Sequence, residues 1–293
     1  MVSPTLDSQS LPELYQRSDQ ISLRAQSQYF LRLRLYLGLL VLAALTAFIW
    51  PHSRYGAIAT ILLFSITLGI LVSLRVNRFE DLWYNGRAVA ESVKTRAWRW
   101  AMRADPYGDD TDTDIVSRFT ADLNVILNHN RSLSQVLEPT VGSQEPVSDV
   151  MWQIRRLPVV ERLDIYKTQR VDNQAEWYAR KAQVNQVLAR RWFWVSILLH
   201  TAAAALLLYR VVNPALNLPI GTIAAAAGAV IAWTPAKRYS ELISSYSLTA
   251  LEIGVIQDNA ALVKTEQDLS RFVLSSEAAF SREHTQWVAR KAE

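Results

Sequence analysis

Four stretches of the sequence contain neither acidic nor basic side chains and are apolar almost throughout. They cover residues 35–53, 55–74, 192–209 and 211–236. A helix needs about 20 mainly apolar residues to cross the hydrocarbon core of a bilayer, and backbone groups inside lipid must bond to one another. The runs also lack the strict alternation that is typical of strands. The pattern therefore predicts four transmembrane helices, at about 35–53, 55–74, 192–209 and 216–236.

The four predicted spans form two hairpins because the segment between the members of each pair is short. Turn-forming residues stand in both segments: Pro51 and Gly56 in the first, and Asn213, Pro214, Asn217 and Pro219 in the second. Proline, glycine and asparagine favour turns through their backbone preferences. The predicted fold class is an all-α membrane protein with four transmembrane helices arranged as two hairpins.

Polar segments flank both hairpins and keep the spacing of apolar residues that is typical of helices. The predicted polar helices cover residues 8–34, 76–104, 109–136, 149–157, 158–191 and 237–291, and the last of these is long enough to bend back on itself. Residues 138–148 contain two prolines and a glycine and are interpreted as a linker. The predicted domains are therefore 1–137 and 149–293, each a hairpin flanked by long cytoplasmic helices.

The orientation follows from the basic residues near the span ends, because cytoplasmic ends carry an excess of lysine and arginine. The two short loops hold one basic residue each, Arg54 and Arg210. The opposite ends hold many more, namely Arg24, Arg32, Arg34, Arg75, Arg78, Lys181, Arg190, Arg191, Lys237 and Arg238. Both termini and the central region are therefore predicted to be cytoplasmic.

Composition and motifs argue against several classes of protein. Cysteine is absent, which excludes disulfides and thiolate chemistry, and the net charge of +4 is too small to indicate nucleic-acid binding. None of the four histidines lies in an HExxH motif, and no P-loop or glycine-rich nucleotide motif is present. The prediction is a protein that is not an enzyme, without catalytic, cofactor-binding or metal-binding residues, whose partners include membrane lipids but not nucleic acid.

Small and hydroxyl residues recur along the predicted spans and leave two interpretations open. They are Ser65, Gly69 and Ser73 in the second span and Gly221, Ala225 and Ala229 in the fourth, where Thr222 and Ala226 lie beside them. Small residues at every fourth position allow helices to approach closely, or they leave room for water and ions along a pore. His200 in the third span is either a neutral side chain bonded to a neighbouring helix or a group for gating or proton sensing.

Three stripes of mixed charged and aromatic residues follow the polar helices at spacings of three and four. They comprise Arg87, Glu91, Lys94, Thr95 and Trp98; Tyr166, Arg170, Gln174, Trp177, Tyr178 and Lys181; and Val273, Glu277, Phe280, His284 and Trp287. Such stripes either pack helices together through buried hydrogen bonds or form the surface that receives a ligand or partner. Spacing alone does not separate these roles.

Two segments resemble a known family. The run from Trp83 to Thr95, continued by residues 98–102, resembles the motif after the hairpin in the third type of SLATT domain, the SMODS and SLOG-associating two-transmembrane effector domains. The second half resembles the first type through Tyr166, Arg170, Asp172, Gln174, Trp177, Tyr178, Lys181 and Ala182 before its hairpin, and through Glu277, Glu283, His284 and Trp287 after it. The likeness covers residues 10–136 and 150–290.

This resemblance implies a pore-forming effector of prokaryotic defence, placed in the inner membrane and coupled to a protein that produces or senses nucleotides. No sensor or synthetase domain is recognisable in the chain, so a separate protein or the cytoplasmic helices would sense the signal. The four spans of one chain are too few to enclose a pore. We therefore expect a homo-oligomer that forms an ion channel. The alternative is a non-conducting membrane scaffold that recruits cytoplasmic partners through its long helices.

Overall fold

Helices account for every regular element in the part of the chain that the computed structural model describes: residues 3–108, 111–130, 133 and 145–289, with side chains as far as residue 281. The α-helices are α1 (Glu13–Ile49), α2 (Arg54–Val76), α3 (Phe79–Ala101), α4 (Asp112–His129), α5 (Asp149–Arg155), α6 (Val159–Tyr166), α7 (Asn173–Val212), α8 (Ile220–Lys237), α9 (Tyr239–Asn259) and α10 (Glu266–Ala289). A π-helical segment, Lys167–Asp172, joins α6 to α7, and a 3₁₀ turn, Ala260–Leu262, follows α9.

Four of the helical stretches are long and apolar enough to cross a membrane, which confirms the predicted spans. The first hairpin turns at Pro51, and the side chain of Ser53 caps α2 by accepting the backbone N–H of Gly56 at 3.4 Å. The second turn separates α7 from α8 at residues 213–219. The apolar window within α7 is 0% buried, so this helix presents its apolar surface outward, as a lipid-facing helix does.

The chain divides into two compact units, and each unit draws on both halves of the sequence. We call residues 1–26, 80–180 and 245–293 the polar unit, and residues 27–79 and 181–244 the membrane unit. The predicted sequence domains 1–137 and 149–293 stay a prediction, because a division by contacts does not test how the chain is divided along its sequence. Most of the predicted linker, residues 138–144, lies outside the described residues.

Aromatic and cationic side chains join the helices of the membrane unit. The ring of Trp233 on α8 lies 5.8 Å from that of Phe30 on α1 and 6.3 Å from that of Trp192 on α7. Arg32 on α1 donates from Nε to the hydroxyl of Ser73 on α2 at 3.2 Å. These contacts hold α1 against both α2 and α8 near one end of the spans.

The structure interrupts two of the predicted polar helices. The sequence predicts one helix over residues 76–104, but α2 ends at Val76 and α3 begins at Phe79, because Arg78 takes a left-handed φ of 45°. The predicted helix over residues 237–291 divides into α9 and α10 at the 3₁₀ turn Ala260–Leu262 and residues 263–265. Arg238, at the junction of α8 and α9, has a φ of 51°. Few non-glycine residues adopt such positive φ values, so sequence periodicity gives little warning of the breaks at Arg78 and Arg238.

The core of the polar unit lies along α3, whose inner face is fully buried. Val89, Ala90, Val93 and Ala97 have no exposed surface. Large buried side chains from the neighbouring helices share this core, namely Phe119, Met151, Ile154 and Tyr166, together with Trp100 of α3 and Tyr107 in the turn after it. Helices α1, α4, α5, α6 and α10 therefore pack around α3.

Gly86 marks the closest approach of α3 to α1. A Cβ atom at this position would lie 2.9 Å from the carbonyl oxygen of Ser18 and 3.1 Å from Cβ of Ser22. The Ser22 hydroxyl also donates to the Trp83 carbonyl at 2.9 Å. Only glycine leaves the two backbones this close.

Replacing Gly86 by valine is expected to lower the free energy of unfolding by about 1–3 kcal/mol, because the added methyl groups overpack a rigid backbone contact. Gly254→Val is the matched control, since a Cβ at Gly254 meets no atom within 4 Å and both changes put valine into a helix. Thermal unfolding in mild detergent measures the difference. Equal shifts for the two variants would show that the α1–α3 contact is not tight.

Candidate functional site

A carboxylate on α10, Glu277, lies at the centre of a buried polar cluster and is only 1% exposed. Its Oε1 accepts hydrogen bonds from Nε of Arg170 at 2.9 Å and from the hydroxyl of Tyr166 at 3.0 Å. Its Oε2 accepts from Nη2 of Arg170 and from the hydroxyl of Thr95, both at 2.8 Å. We call these four residues the Glu277 cluster. Each carboxylate oxygen thus accepts two hydrogen bonds, and the donors come from α3, α6 and the π-helical segment.

Arg170 makes the charge-balancing contact of this cluster. Its two nitrogens bind the two oxygens of Glu277 in the paired geometry that gives guanidinium–carboxylate contacts their strength. Burial acts to lower the pKa of Arg170, but the charge of Glu277 and its hydrogen bonds to Arg170, with smaller contributions from Glu91 and Tyr166, together raise the pKa. Its Nη1 is buried without a hydrogen-bond partner among the described residues, while Cζ lies 4.8 Å from the Phe280 ring centre. The arginine therefore stays charged and depends on one carboxylate.

A second ionic group lies on the neighbouring turns of α3. Arg87 contacts Glu91 at 2.7 Å and Asp19 of α1 at 3.6 Å. Burial raises the pKa of Asp19, although the charge of Arg87 acts in the opposite direction. Lys94 follows on the same face, and burial, followed by the charge of Arg170, lowers its pKa. Cations and carboxylates therefore alternate along this half-buried face of α3 and α1.

The local backbone at Arg170 is unusual. Arg170 lies in the π-helical segment Lys167–Asp172, where each turn takes up an extra residue. Such segments are rare and occur frequently at functional sites. Asp172, at the end of the segment, accepts a hydrogen bond from the amide of Gln257 on α9 at 2.6 Å. The segment is thus held to α10 through Arg170 and to α9 through Asp172.

The structure brings most of the predicted polar-helix residues into one region. Arg87, Glu91, Lys94 and Trp98 lie along α3, and the ring of Trp98 is 5.6 Å from that of Tyr166 in the Glu277 cluster. Gln174 is half-buried in the first turn of α7, and Lys181 is exposed farther along that helix. His284 and Trp287 lie on α10 beyond the last described side chain. Their roles stay predictions.

Two buried arginines were not predicted from the sequence. Arg155 is 6% exposed and donates to the carbonyls of Trp100 at 2.7 Å and Gly108 at 2.8 Å. Arg162 has no exposed surface, donates to the Met102 carbonyl at 2.7 Å and pairs with Glu266. Both satisfy carbonyls at or after the end of α3, which lack partners within that helix. Their spacing of seven residues gave no usable signal, because the helix is interrupted between α5 and α6 at residues 156–158.

The predicted residues of the spans take four kinds of position in the single chain. Ser65 is exposed and donates to its own helix at Ile61, and Gly69 is exposed with open space beside it. Thr222 has a buried hydroxyl without a partner among the described residues, and Ala225 and Ala229 line an apolar cavity. Ser73 accepts from Arg32 at 3.2 Å.

His200 is exposed, and its Nδ1 lies 2.7 Å from the carbonyl oxygen of Ser196 in the same helix. The ring therefore contacts its own helix rather than a neighbouring one, because the carbonyl four residues earlier is within reach. Among the described residues no group of three or more histidine, aspartate or glutamate side chains is arranged to hold a metal ion.

Taken together, the two hairpins and the helical polar unit define an integral membrane protein built from two-helix hairpins. The models of two families match the chain, that of the SMODS and SLOG-associating 2TM effector domain 3 at residues 12–163 and that of domain 1 at residues 166–287. The chain belongs to this family, SLATT, and carries the third and first types in tandem, as the sequence resemblance predicts. No curated protein and no solved structure matches the chain.

Proposed function

We propose that this protein is an oligomeric membrane effector whose hairpins assemble into an ion-permeable path across the inner membrane of a prokaryotic cell, in a defence setting. The proposal rests on how much of the apolar surface of the spans is exposed in the single chain. The apolar window of α2 is 6% buried and that of α7 is 0% buried, so one chain leaves most of its membrane surface uncovered. Neighbouring copies and lipid share this surface in an assembly.

Polar groups on the exposed faces of the spans favour contact with neighbouring copies of the chain over contact with lipid. His200 and Ser65 are exposed in the single chain, and among the described residues their polar atoms bond only within their own helices. An ionisable side chain inside a membrane usually faces the interior of a bundle or a water-filled path, because contact with hydrocarbon is costly. Assembly with these faces inward gives both residues a polar environment.

The polar unit supplies the contacts that would receive an activating signal. Under this proposal both termini are cytoplasmic, and a separate protein that produces or senses nucleotides triggers opening. The Glu277 cluster joins α10, α3 and the π segment that leads directly into α7. A change at this cluster therefore acts at the start of α7, the helix that contains the third span.

Ion flux from liposomes tests the proposal. The purified protein is reconstituted with a trapped potassium-sensitive dye, and flux is followed with and without candidate nucleotides and cytoplasmic extract. Flux that rises with protein density and falls in the His200→Leu variant supports the proposal. An assembled oligomer that remains impermeable under each of these conditions contradicts it.

Gly69→Leu is expected to weaken assembly and flux together. The space beside Gly69 is empty within the chain, so leucine fits the single chain and interferes only where another helix approaches. Gly38→Leu is the control, because it adds the same side chain at an equally open position of α1. Native gels report oligomer size. Unchanged assembly of Gly69→Leu would place this face against lipid or water.

A second function, a non-conducting scaffold, is favoured by one feature of α9 and the turn after it. Leu251, Val255 and Leu262 are 72%, 67% and 71% exposed and follow a helical spacing. An apolar stripe of this kind suits a partner helix. Stable partners recovered from native membranes, together with an absence of conductance, would favour the scaffold.

A further inference from the structure

An apolar cavity of about 590 Å³ opens among α1, α2 and α8 of the membrane unit. Small side chains line two of its walls, among them Ala43, Ala44 and Ala47 on α1 and Ala225 and Ala229 on α8. Its volume falls in the range of about 300–1,000 Å³ that is typical of ligand sites. A space of this size between membrane spans is filled by hydrocarbon or by another helix, since water gains few hydrogen bonds there.

The length of the cavity matches one leaflet of a bilayer. Its lining on α1 runs from Tyr36 to Ala47, a rise of about 16 Å at 1.5 Å per residue. Half of the hydrocarbon core is about 15 Å thick. One acyl chain reaching from the membrane interface to the midplane therefore has the length of this groove.

Two cations lie at one end of the cavity. Arg34 precedes the lining residue Tyr36 by two positions, and Lys237 follows the lining residue Ala232 by five. Both approach the same indole, with Cζ of Arg34 at 5.5 Å and Nζ of Lys237 at 5.0 Å from the centre of the Trp233 ring. Neither cation pairs with a carboxylate in the part of the chain that the structure describes. This end of the groove therefore carries two positive charges without an acidic counterpart.

Trp233 adds an unused donor at the same place. The side chain is 9% exposed, and its Nε1 is buried without a hydrogen-bond partner among the described residues. A buried indole N–H usually finds an acceptor. An anionic headgroup beside Arg34 and Lys237 offers one.

We propose that the membrane unit holds one anionic phospholipid, with an acyl chain in the cavity among α1, α2 and α8 and the headgroup phosphate at Arg34, Lys237 and Trp233. Basic pockets between transmembrane helices are known to bind anionic headgroups. The charge complementarity favours a lipid over a helix from a second copy, because an apolar helix in the groove would leave both cations and the indole donor unmatched. The site is independent of conduction and stands whether or not the assembled protein forms a pore.

Native mass spectrometry tests this site on the full chain in nanodiscs of phosphatidylglycerol and phosphatidylcholine. The wild type is expected to retain phosphatidylglycerol preferentially after the disc is removed. Arg34→Gln and Lys237→Gln are each expected to reduce that preference about fivefold. Arg75→Gln, which removes an exposed cation from α2, is the charge control and leaves the preference unchanged.

Gly228→Leu tests the cavity itself. Gly228 is a lining residue, and a Cβ there meets no atom within 4 Å, so leucine occupies the acyl-chain space without disturbing the helices. Retained lipid is expected to fall, while Gly38→Leu retains as much as the wild type. Circular dichroism and melting temperature establish that each variant is folded.

Three results would overturn the proposal. The first is a folded wild type that retains no lipid or retains the two lipids equally. The second is a Gly228→Leu variant with unchanged retention. The third is cross-linking between cysteines placed at Gly228 in two copies, which the cysteine-free chain allows and which would make a second copy the occupant.

Discussion

Replacing Glu277 by leucine is expected to lower the free energy of unfolding by about 3–5 kcal/mol, because it leaves the charge of Arg170 buried without a counterion. Arg170 is 1% exposed, and in the described residues its bound nitrogens donate only to Glu277. Tyr166 and Thr95 lose their acceptor in the same variant. Unfolding by a denaturing detergent, followed by circular dichroism, measures the loss.

The double variant Glu277→Leu with Arg170→Met separates the cost of an unpaired charge from the worth of the pair. It is expected to recover much of the stability, because apolar residues of similar volume often replace a buried ion pair at little cost. Arg271→Ala is the surface control: this side chain is 76% exposed, and its pair with Asp268 contributes at most about 1 kcal/mol. A Glu277→Leu variant that unfolds like the control would contradict the burial of this cluster.

Truncating Trp98 to alanine is expected to lower the free energy of unfolding by about 3–5 kcal/mol, since it removes a large buried ring and leaves a cavity. Trp98 is 1% exposed and packs edge to face against Tyr166 at 5.6 Å between ring centres. The loss also loosens the Glu277 cluster, because Tyr166 donates to Glu277. The same detergent titration measures the effect.

Trp194→Ala provides the comparison for this change. Trp194 is 61% exposed on α7, so its removal opens no cavity within the chain. The expected cost is well below that of Trp98→Ala, and the difference between the two variants reports packing in the polar unit. Equal costs would mean that Trp98 is not a core residue.

The sequence predicts the membrane part of the fold well because one physical requirement governs it. A helix that crosses lipid needs a long run without charge, and four such runs separated by turn residues are visible by inspection. The Glu277 cluster could be predicted only in part. Spacing places Arg87, Glu91, Lys94 and Trp98 on one face of α3, but it does not say that Glu277, far away in the sequence, meets that face.

The features that the sequence did not predict depend on contacts between distant segments. Arg155 and Arg162 are buried because the carbonyls after α3 need donors, which is a property of the folded neighbourhood rather than of either helix. The compact units combine both halves of the chain, so a division along the sequence could not reveal them. The π segment contains neither proline nor glycine, so its local composition does not predict it.

That π segment has a consequence for how the protein can evolve. Residues Lys167–Asp172 absorb extra chain length immediately before α7, and in a regular α-helix one residue corresponds to about 100° of rotation and 1.5 Å of rise. Because the segment takes up the extra residue locally, losing one residue there would restore ordinary hydrogen bonding and leave the later side chains of α7 facing as before. Losing one residue from α7 itself, ahead of His200, would instead turn every later side chain by about 100° relative to the preceding part of the helix.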